Sequence, residues 1–180
     1  MEPIIVLRQV CRTFNAGTQT LAVLSDISLT FHRGEMGAIV GTSGSGKSTL
    51  MNIIGCLDRP SSGEVLINGT PVHSADNLYL ADLRSRYLGF IFQRYHLMPY
   101  LTAIENVTIP ALYTDMPASA RHARAEHLLN RLGLGHRLNY RPAQLSGGQQ
   151  HRVSTARALM TGAPVTLADQ PTGPLGRPTV

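Results

Sequence analysis

Apolar and β-branched residues concentrate at residues 4–10 and 21–31 with the density of strands. A shorter apolar run, 36–40, stops at Gly41 and predicts a buried strand. Residues 64–67 predict a strand that closes on the turn pair Asn68-Gly69. Residues 76–86 predict a helix with Asp76 as its N-cap, and residues 88–92 a further strand. From about residue 95 to residue 161 the periodicity turns helical. Pro117 is placed to start a helix, and Leu128, Leu129 and Leu132 form its apolar stripe. A second helix is expected over 147–161, with Val153, Ala156 and Met160 on one face. Residues 164–168 return to strand character, and 171–180 are rich in Pro and Gly without periodicity. The chain shows no internal repeat and no low-complexity tract.

At 180 residues and 43% apolar content, the chain is expected to fold as one domain, with room for a subdomain. No stretch approaches the ~20 apolar residues of a membrane span, and the first residues lack the basic-then-apolar pattern of a secretory signal. Cys11 and Cys56 are far apart and lack metal-ligand spacing, which suits a reducing cytosol and buried small side chains. His122 and His127 are likewise off ligand spacing. The basic residues are 15 arginines and one lysine, Lys47. Residues 1–90 are neutral, whereas 91–180 carry a net +5. A basic half can face nucleic acid, an anionic membrane surface or an acidic partner. The plainer expectation is a solvated arginine face that includes Arg121, Arg124 and Arg131.

Residues 41–48, Gly41-Thr42-Ser43-Gly44-Ser45-Gly46-Lys47-Ser48, satisfy G-x-x-x-x-G-K-[ST] in full, followed by Thr49. Glycines let successive backbone N–H groups turn inward as a nest for phosphate oxygens, and the following helix adds its positive N-terminus. Lys47 is placed to reach the β- and γ-phosphates, and the Ser48 hydroxyl to ligate Mg²⁺. A strand before and a helix after supply the context the motif needs. This predicts a nucleotide-binding loop, which kinases, GTPases and motor ATPases share.

Leu145-Ser146-Gly147-Gly148-Gln149-Gln150 is a second anion-site pattern at a helix start. One nucleotide has no use for two such sites on one chain, so this one reads as serving the ATP of a second copy. A simple capped helix start is the alternative. The order of these elements resembles the ATP-binding cassette (ABC) ATPases. The phosphate loop corresponds to Walker A, 145–149 to the signature, and Val165-Thr166-Leu167-Ala168-Asp169 to Walker B. Gln93 corresponds to the Q-loop glutamine and Phe14 to the aromatic that stacks on adenine. The stretches 50–58 and 89–97 look most like MacB-type macrolide exporters, with lipoprotein-releasing (LolD-type) and cell-division (FtsE-type) ATPases nearby.

The resemblance implies an α/β P-loop NTPase with an ABC-type mixed sheet core at 1–93 and 161–180 and an inserted helical subdomain at 94–160. It implies ATP and Mg²⁺ as cofactors. Phe14, Gly41, Thr42, Ser43, Gly44, Ser45, Gly46, Lys47, Ser48, Thr49 and Gln93 would bind ATP. Ser48, Gln93 and Asp169 would hold the metal, Asp169 through water, and Ser146, Gly147, Gly148 and Gln149 would meet the partner's ATP. The implied partners are a second ATP-binding subunit in a homodimer and an ABC membrane permease docking near Gln93. The implied location is the cytoplasmic face of the inner membrane, as a peripheral subunit. No nucleic acid is expected, although a soluble nucleic-acid- or ribosome-associated ABC protein is the class that the basic half would suit.

Three departures stand out. Gln170 occupies the place of the family's catalytic glutamate; an amide cannot take up a proton at neutral pH, and general-base contributions are of order 10²–10⁴ in rate. A nucleotide-binding but hydrolysis-deficient cassette is therefore the competing reading. The D-loop reads Thr172-Gly173-Pro174-Leu175-Gly176, without the family's aspartate and with a proline that removes a donor. The resemblance stops at Val180, so no residue matches the switch histidine, and the core is expected to lack its C-terminal part, including the strand between the Walker A and Walker B strands. Residues 36–40 and 165–168 would then miss their shared neighbour, and the polar Thr166 weakens the second run further.

Overall fold

The N-terminal strand patterns become one long antiparallel pair. Strand β1, Pro3–Ala16, runs against β2, Gln19–His32, and on its other side against β3, Ser62–Ile67. The computed structural model describes residues 2–17, 19–92 and 95–169, grouped as the compact units Met1–Tyr87 and Leu88–Val180. In the first unit a short β4, Thr70–Pro71, completes an antiparallel sheet of order β2-β1-β3-β4. Asn68 and Gly69 both take positive φ, 48° and 77°, the geometry of a two-residue hairpin between Ile67 and Thr70. The register of β1 slips on both sides near Gln9 (φ 50°), where a bulge bends the strand. Gly63 lies against this bulge with φ 89°, and a Cβ there would sit 2.3 Å from the Gln9 carbonyl oxygen, so only glycine fits.

Helix α1, Lys47–Ile54, packs its buried face of Leu50, Ile53 and Ile54 into the core of this unit, which also holds Ile5, Leu7, Val10, Leu24, Val65 and Ile67. Each such side chain contributes about 1.5–3 kcal/mol of burial. Helix α2, Asn77–Tyr87, adds Leu80 and Leu83. The Tyr79 N–H donates to Asp76 Oδ1 at 2.7 Å, which is the cap expected at Asp76.

The second unit contains a parallel pair, β5 (Leu88–Ile91) and β6 (Val165–Ala168), with the Asp169 N–H extending the ladder to the Ile91 carbonyl at 2.9 Å. Three helices carry its core: α3 (Ala103–Thr108), α4 (Ala118–Arg131, entered from Pro117) and α5 (Gly147–Ala158). Ala103, Ile104, Val107, Ala125, Leu128, Leu129, Leu145, Val153, Ala156 and Met160 form one buried cluster. Gly89 is a close approach: a Cβ there would meet the Ala158 carbonyl oxygen at 2.3 Å. Buried Asn106 satisfies its polar atoms on the backbone of Met98, Leu101 and Thr102, fixing the chain that enters α3.

Three expectations change. Residues 36–40 form no strand: Met36 and Val40 are 97% and 88% exposed. Among the described residues no strand pairs with this run, and an apolar segment without a ladder partner has no sheet to enter. The helix expected over 147–161 ends at Ala158, and Met160 is buried from the turn that follows. The arginine face of α4 is only partly a solvated one. Arg121 Nη1 donates to the Met116 carbonyl, and Arg124 donates to the carbonyls of Met160 and Leu159, satisfying acceptors at the C-terminal end of α5. The expectations at Gln93, at Gln170 and across 172–176 lie outside the described residues.

Candidate nucleotide-binding site

The phosphate loop begins where the chain leaves the exposed run at 36–40. Gly44 and Gly46 adopt left-handed φ of 80° and 87°. Gly46 is the N-cap of α1, and a Cβ on it would lie 2.8 Å from the Val23 carbonyl oxygen. Glycine here serves both the turn and the close seating of α1 on β2. A Cβ on Gly41 would lie 2.7 Å from Ser45 Oγ, so the loop is closed tightly on itself.

Lys47 Nζ folds back over this loop, donating to the carbonyls of Gly41 (2.9 Å) and Thr42 (2.5 Å) and to Ser45 Oγ (3.3 Å). The cation is thereby held at the mouth of the turn. The helix has no side-chain cap. The N–H groups of Ser43, Gly44, Gly46, Lys47, Ser48 and Thr49 find no protein acceptor among the described residues, and the Ser48 hydroxyl is also without a partner there. Six N–H groups without a protein acceptor, one ammonium held on the loop and a hydroxyl without a partner among the described residues are the kinds of donor a magnesium-bound polyphosphate takes, so the residues fit that group.

Phe14, on β1, is 41% exposed, and the guanidinium of Arg12 lies over its ring at 4.5 Å from the centroid. One aromatic face is thus already covered.

In the second unit, Ser146 is the N-cap of α5. Its hydroxyl accepts from the Gln149 N–H at 3.3 Å, while its own N–H donates to Gln149 Oε1 at 2.9 Å, a reciprocal capping box. The capped-helix reading and the ligand reading are compatible. A hydroxyl that accepts can still donate, and the N–H groups of Gly147 and Gly148 have no protein acceptor among the described residues. Gln150 donates from Nε2 to the carbonyls of Pro142 and Leu145, tying the preceding turn to the helix. Asp169 is placed at the end of β6 by its backbone bond to β5.

Sequence reasoning did not single out Asn106, Arg157 or the Arg12–Asp58 pair. Arg157 donates to the carbonyls of Tyr95 and His96 at 2.7 and 2.8 Å, and burial pushes its pKa below the usual arginine value. No spacing rule marks such residues, because their partners are backbone carbonyls or lie some 46–62 positions away.

The family model described as "ABC transporter" matches residues 24–173. The chain is 64% identical over 164 residues to a macrolide export ATP-binding/permease protein, MacB, of Shewanella sp. (strain W3-18-1), covering 91% of this chain and 25% of that protein. It is 56% identical over 174 residues to a probable syringafactin export ATP-binding/permease protein, SyfD, of Pseudomonas syringae pv. tomato, covering 97% and 26%. It therefore spans about a quarter of the length of these relatives. Among solved structures, a dimeric bacterial ABC transporter cassette superposes with a TM-score of 0.89 at 43% identity, covering 95% of this chain and 75% of that one. A dimeric cassette in a post-hydrolysis state bound to ADP and Pi superposes with a TM-score of 0.87 at 42% identity, covering 93% and 74%. The cassettes of this family are transport ATPases with the P-loop NTPase fold. With a family model matched over most of its length and relatives far above 30% identity, the chain belongs to the ABC transporter family, as its ATP-binding cassette.

Proposed function

We propose that this chain binds Mg-ATP as the nucleotide-binding cassette of an exporter whose membrane-spanning permease moves the substrate. The observation that carries this reading is the loop at 41–49, with its fixed Lys47 and its six unspent N–H groups. The loop N–H groups and Lys47 would hold the phosphates, Ser48 would hold the metal together with Gln93 and Asp169, and Phe14 would carry the base. Bound Mg²⁺ would neutralise charge on the β- and γ-phosphates. Ser146, Gly147, Gly148 and Gln149 would meet the ATP of a second copy in a head-to-tail homodimer. We assign 1–93 and 161–180 to the nucleotide core and 94–160 to the helical subdomain facing the permease at the cytoplasmic side of the inner membrane. Both exporters described above carry export names, and one of them names macrolides, which supports an export role with macrolides as the first class to test.

The test is thermal unfolding of the purified chain with and without Mg-ATP. Ligand at 100 times its dissociation constant adds about 2.7 kcal/mol to the folded state, visible as an upward shift of the midpoint. A cooperative transition that Mg-ATP does not move would sink the reading.

Gln170 favours a second reading, binding with strongly slowed hydrolysis. Phosphate release should rise by 10²-fold or more in Gln170→Glu, following the size of a general-base contribution. Equal rates in the two chains would show that Gln170 is not what limits hydrolysis.

A further inference from the structure

Phe14 does not stand alone on β1. Arg12 and Phe14 are two positions apart, so a strand places them on one face, and the guanidinium carbon of Arg12 lies 4.5 Å from the ring centroid. The guanidinium is anchored. Its Nη2 donates to Asp58 Oδ1 at 3.0 Å and forms an ion pair with Oδ2 at 2.9 Å, and the Arg12 side chain is only 21% exposed. Asp58 is in turn fixed to the helix that follows the phosphate loop. The N–H groups of Leu57 and Asp58 both donate to the Asn52 carbonyl in α1, and Asp58 Oδ1 accepts the Arg59 N–H at 2.8 Å. A chain of contacts therefore runs from α1 through Asp58 and Arg12 to the ring of Phe14.

The arrangement has a cost. Arg12 Nε is buried with no hydrogen-bond partner among the described residues. The guanidinium plane gives up that bond and lies over the ring. An unanchored arginine at this place would be a mobile occupant of the aromatic face. One held by a carboxylate from another element is a fixed backing, and it leaves a single face of Phe14 for a planar ligand. A cation on one face also draws on the ring's electron density.

We propose that Arg12, anchored by Asp58, is a positioning residue for base recognition: it backs one face of Phe14 and holds the ring so that the opposite face receives the adenine. The proposal rests on the assignment of Phe14 as the base-stacking residue under the function proposed above. It adds that the same ion pair links this platform to the helix of the phosphate loop.

Two ligands separate base recognition from phosphate recognition: Mg-ATP and magnesium tripolyphosphate, which lacks the nucleoside. Dissociation constants for both are measured by calorimetry on the full chain and on Arg12→Met, Asp58→Asn and Phe14→Ala. Arg12→Met should weaken ATP about threefold to tenfold and leave tripolyphosphate unchanged. Asp58→Asn should act in the same direction with a smaller factor. Tripolyphosphate affinity doubles as the control that the loop has folded. Unchanged ATP affinity in Arg12→Met, while Phe14→Ala weakens ATP selectively, overturns the backing role and leaves the stacking role standing. Tighter ATP binding in Arg12→Met would show that Arg12 occupies the base's own place and overturns the proposal. Equal weakening of both ligands would reduce Arg12 to a support of the loop fold and overturns it too. A Phe14→Ala chain with an unaltered ratio of the two affinities overturns the stacking assignment itself.

Discussion

The glycine-rich helix starts at residues 46 and 146 read almost alike as sequence, and they are finished differently. At α5 the Ser146 hydroxyl and the Gln149 amide satisfy each other's backbone groups, so this terminus is partly closed without a ligand and offers it the N–H groups of Gly147 and Gly148 that remain. At α1 the N-cap is a glycine in left-handed geometry with no side chain to accept anything, and the first N–H groups stay unspent. A helix start left open in this way can offer its N–H groups to an anion in place of water. The open start fits a primary phosphate site, and the partly closed one fits a contact added when a second molecule arrives.

This contrast can be broken from the strongest effect to the weakest. Gly46→Ala should be the most damaging change, because it forces a Cβ into left-handed geometry at 2.8 Å from the Val23 carbonyl oxygen. Strain and clash together should cost about 2–3 kcal/mol in urea unfolding. A loss under 0.5 kcal/mol would mean that α1 is not seated on β2 as described. Lys47→Met should follow, weakening Mg-ATP binding about 10- to 100-fold by removing a charge-assisted donor, with little change in the stability of the unliganded chain. Ser146→Ala should cost about 1 kcal/mol of stability from the lost cap and leave binding of a first ATP unchanged. A matching fall in ATP affinity in a monomeric sample would contradict the division of labour between the two termini.

The weakest effect concerns pH. The start of α3 uses the same box as α5, but with Glu105 where α5 has Gln149. Hydrogen bonds from the Thr102 N–H and hydroxyl hold the Glu105 carboxyl below its usual pKa of 4.5. A carboxyl lowered on folding adds stability that is complete above its unfolded pKa and disappears as the pH falls through its folded one. The stability difference between the chain and Glu105→Gln should therefore shrink below about pH 4.5, and Ser146→Ala should show no such dependence from its own box. A difference that stays constant from pH 7 to pH 3 would show that the carboxylate form of Glu105 contributes nothing to the cap.

Much of this was legible in the residue order. The phosphate loop, the Asp76 cap, the Asn68-Gly69 hairpin and the Pro117 helix start depend on contacts within a few positions, and local chemistry decides them. Burial of Cys56 was equally readable: desolvation pushes its thiol to about 11, against a smaller opposing pull from Arg84. The run at 36–40 shows the limit. Its composition is that of a strand, but a strand exists only beside another, and no pairing partner stands next to it among the described residues.

By itself, then, the sequence determined where the backbone must turn, which helices could start, and that one loop would gather donors for phosphate. Those outcomes follow from glycine's freedom at positive φ and from side chains that bond their own neighbours. Only the tertiary structure decided that Arg124 would serve the end of α5, that Arg157 would hold the backbone of Tyr95 and His96, and that Asp58 would anchor Arg12 under Phe14. The reason is physical: a long cationic side chain commits to whichever oxygen or ring the folded chain brings within about 4 Å, and spacing along the sequence carries no record of that choice.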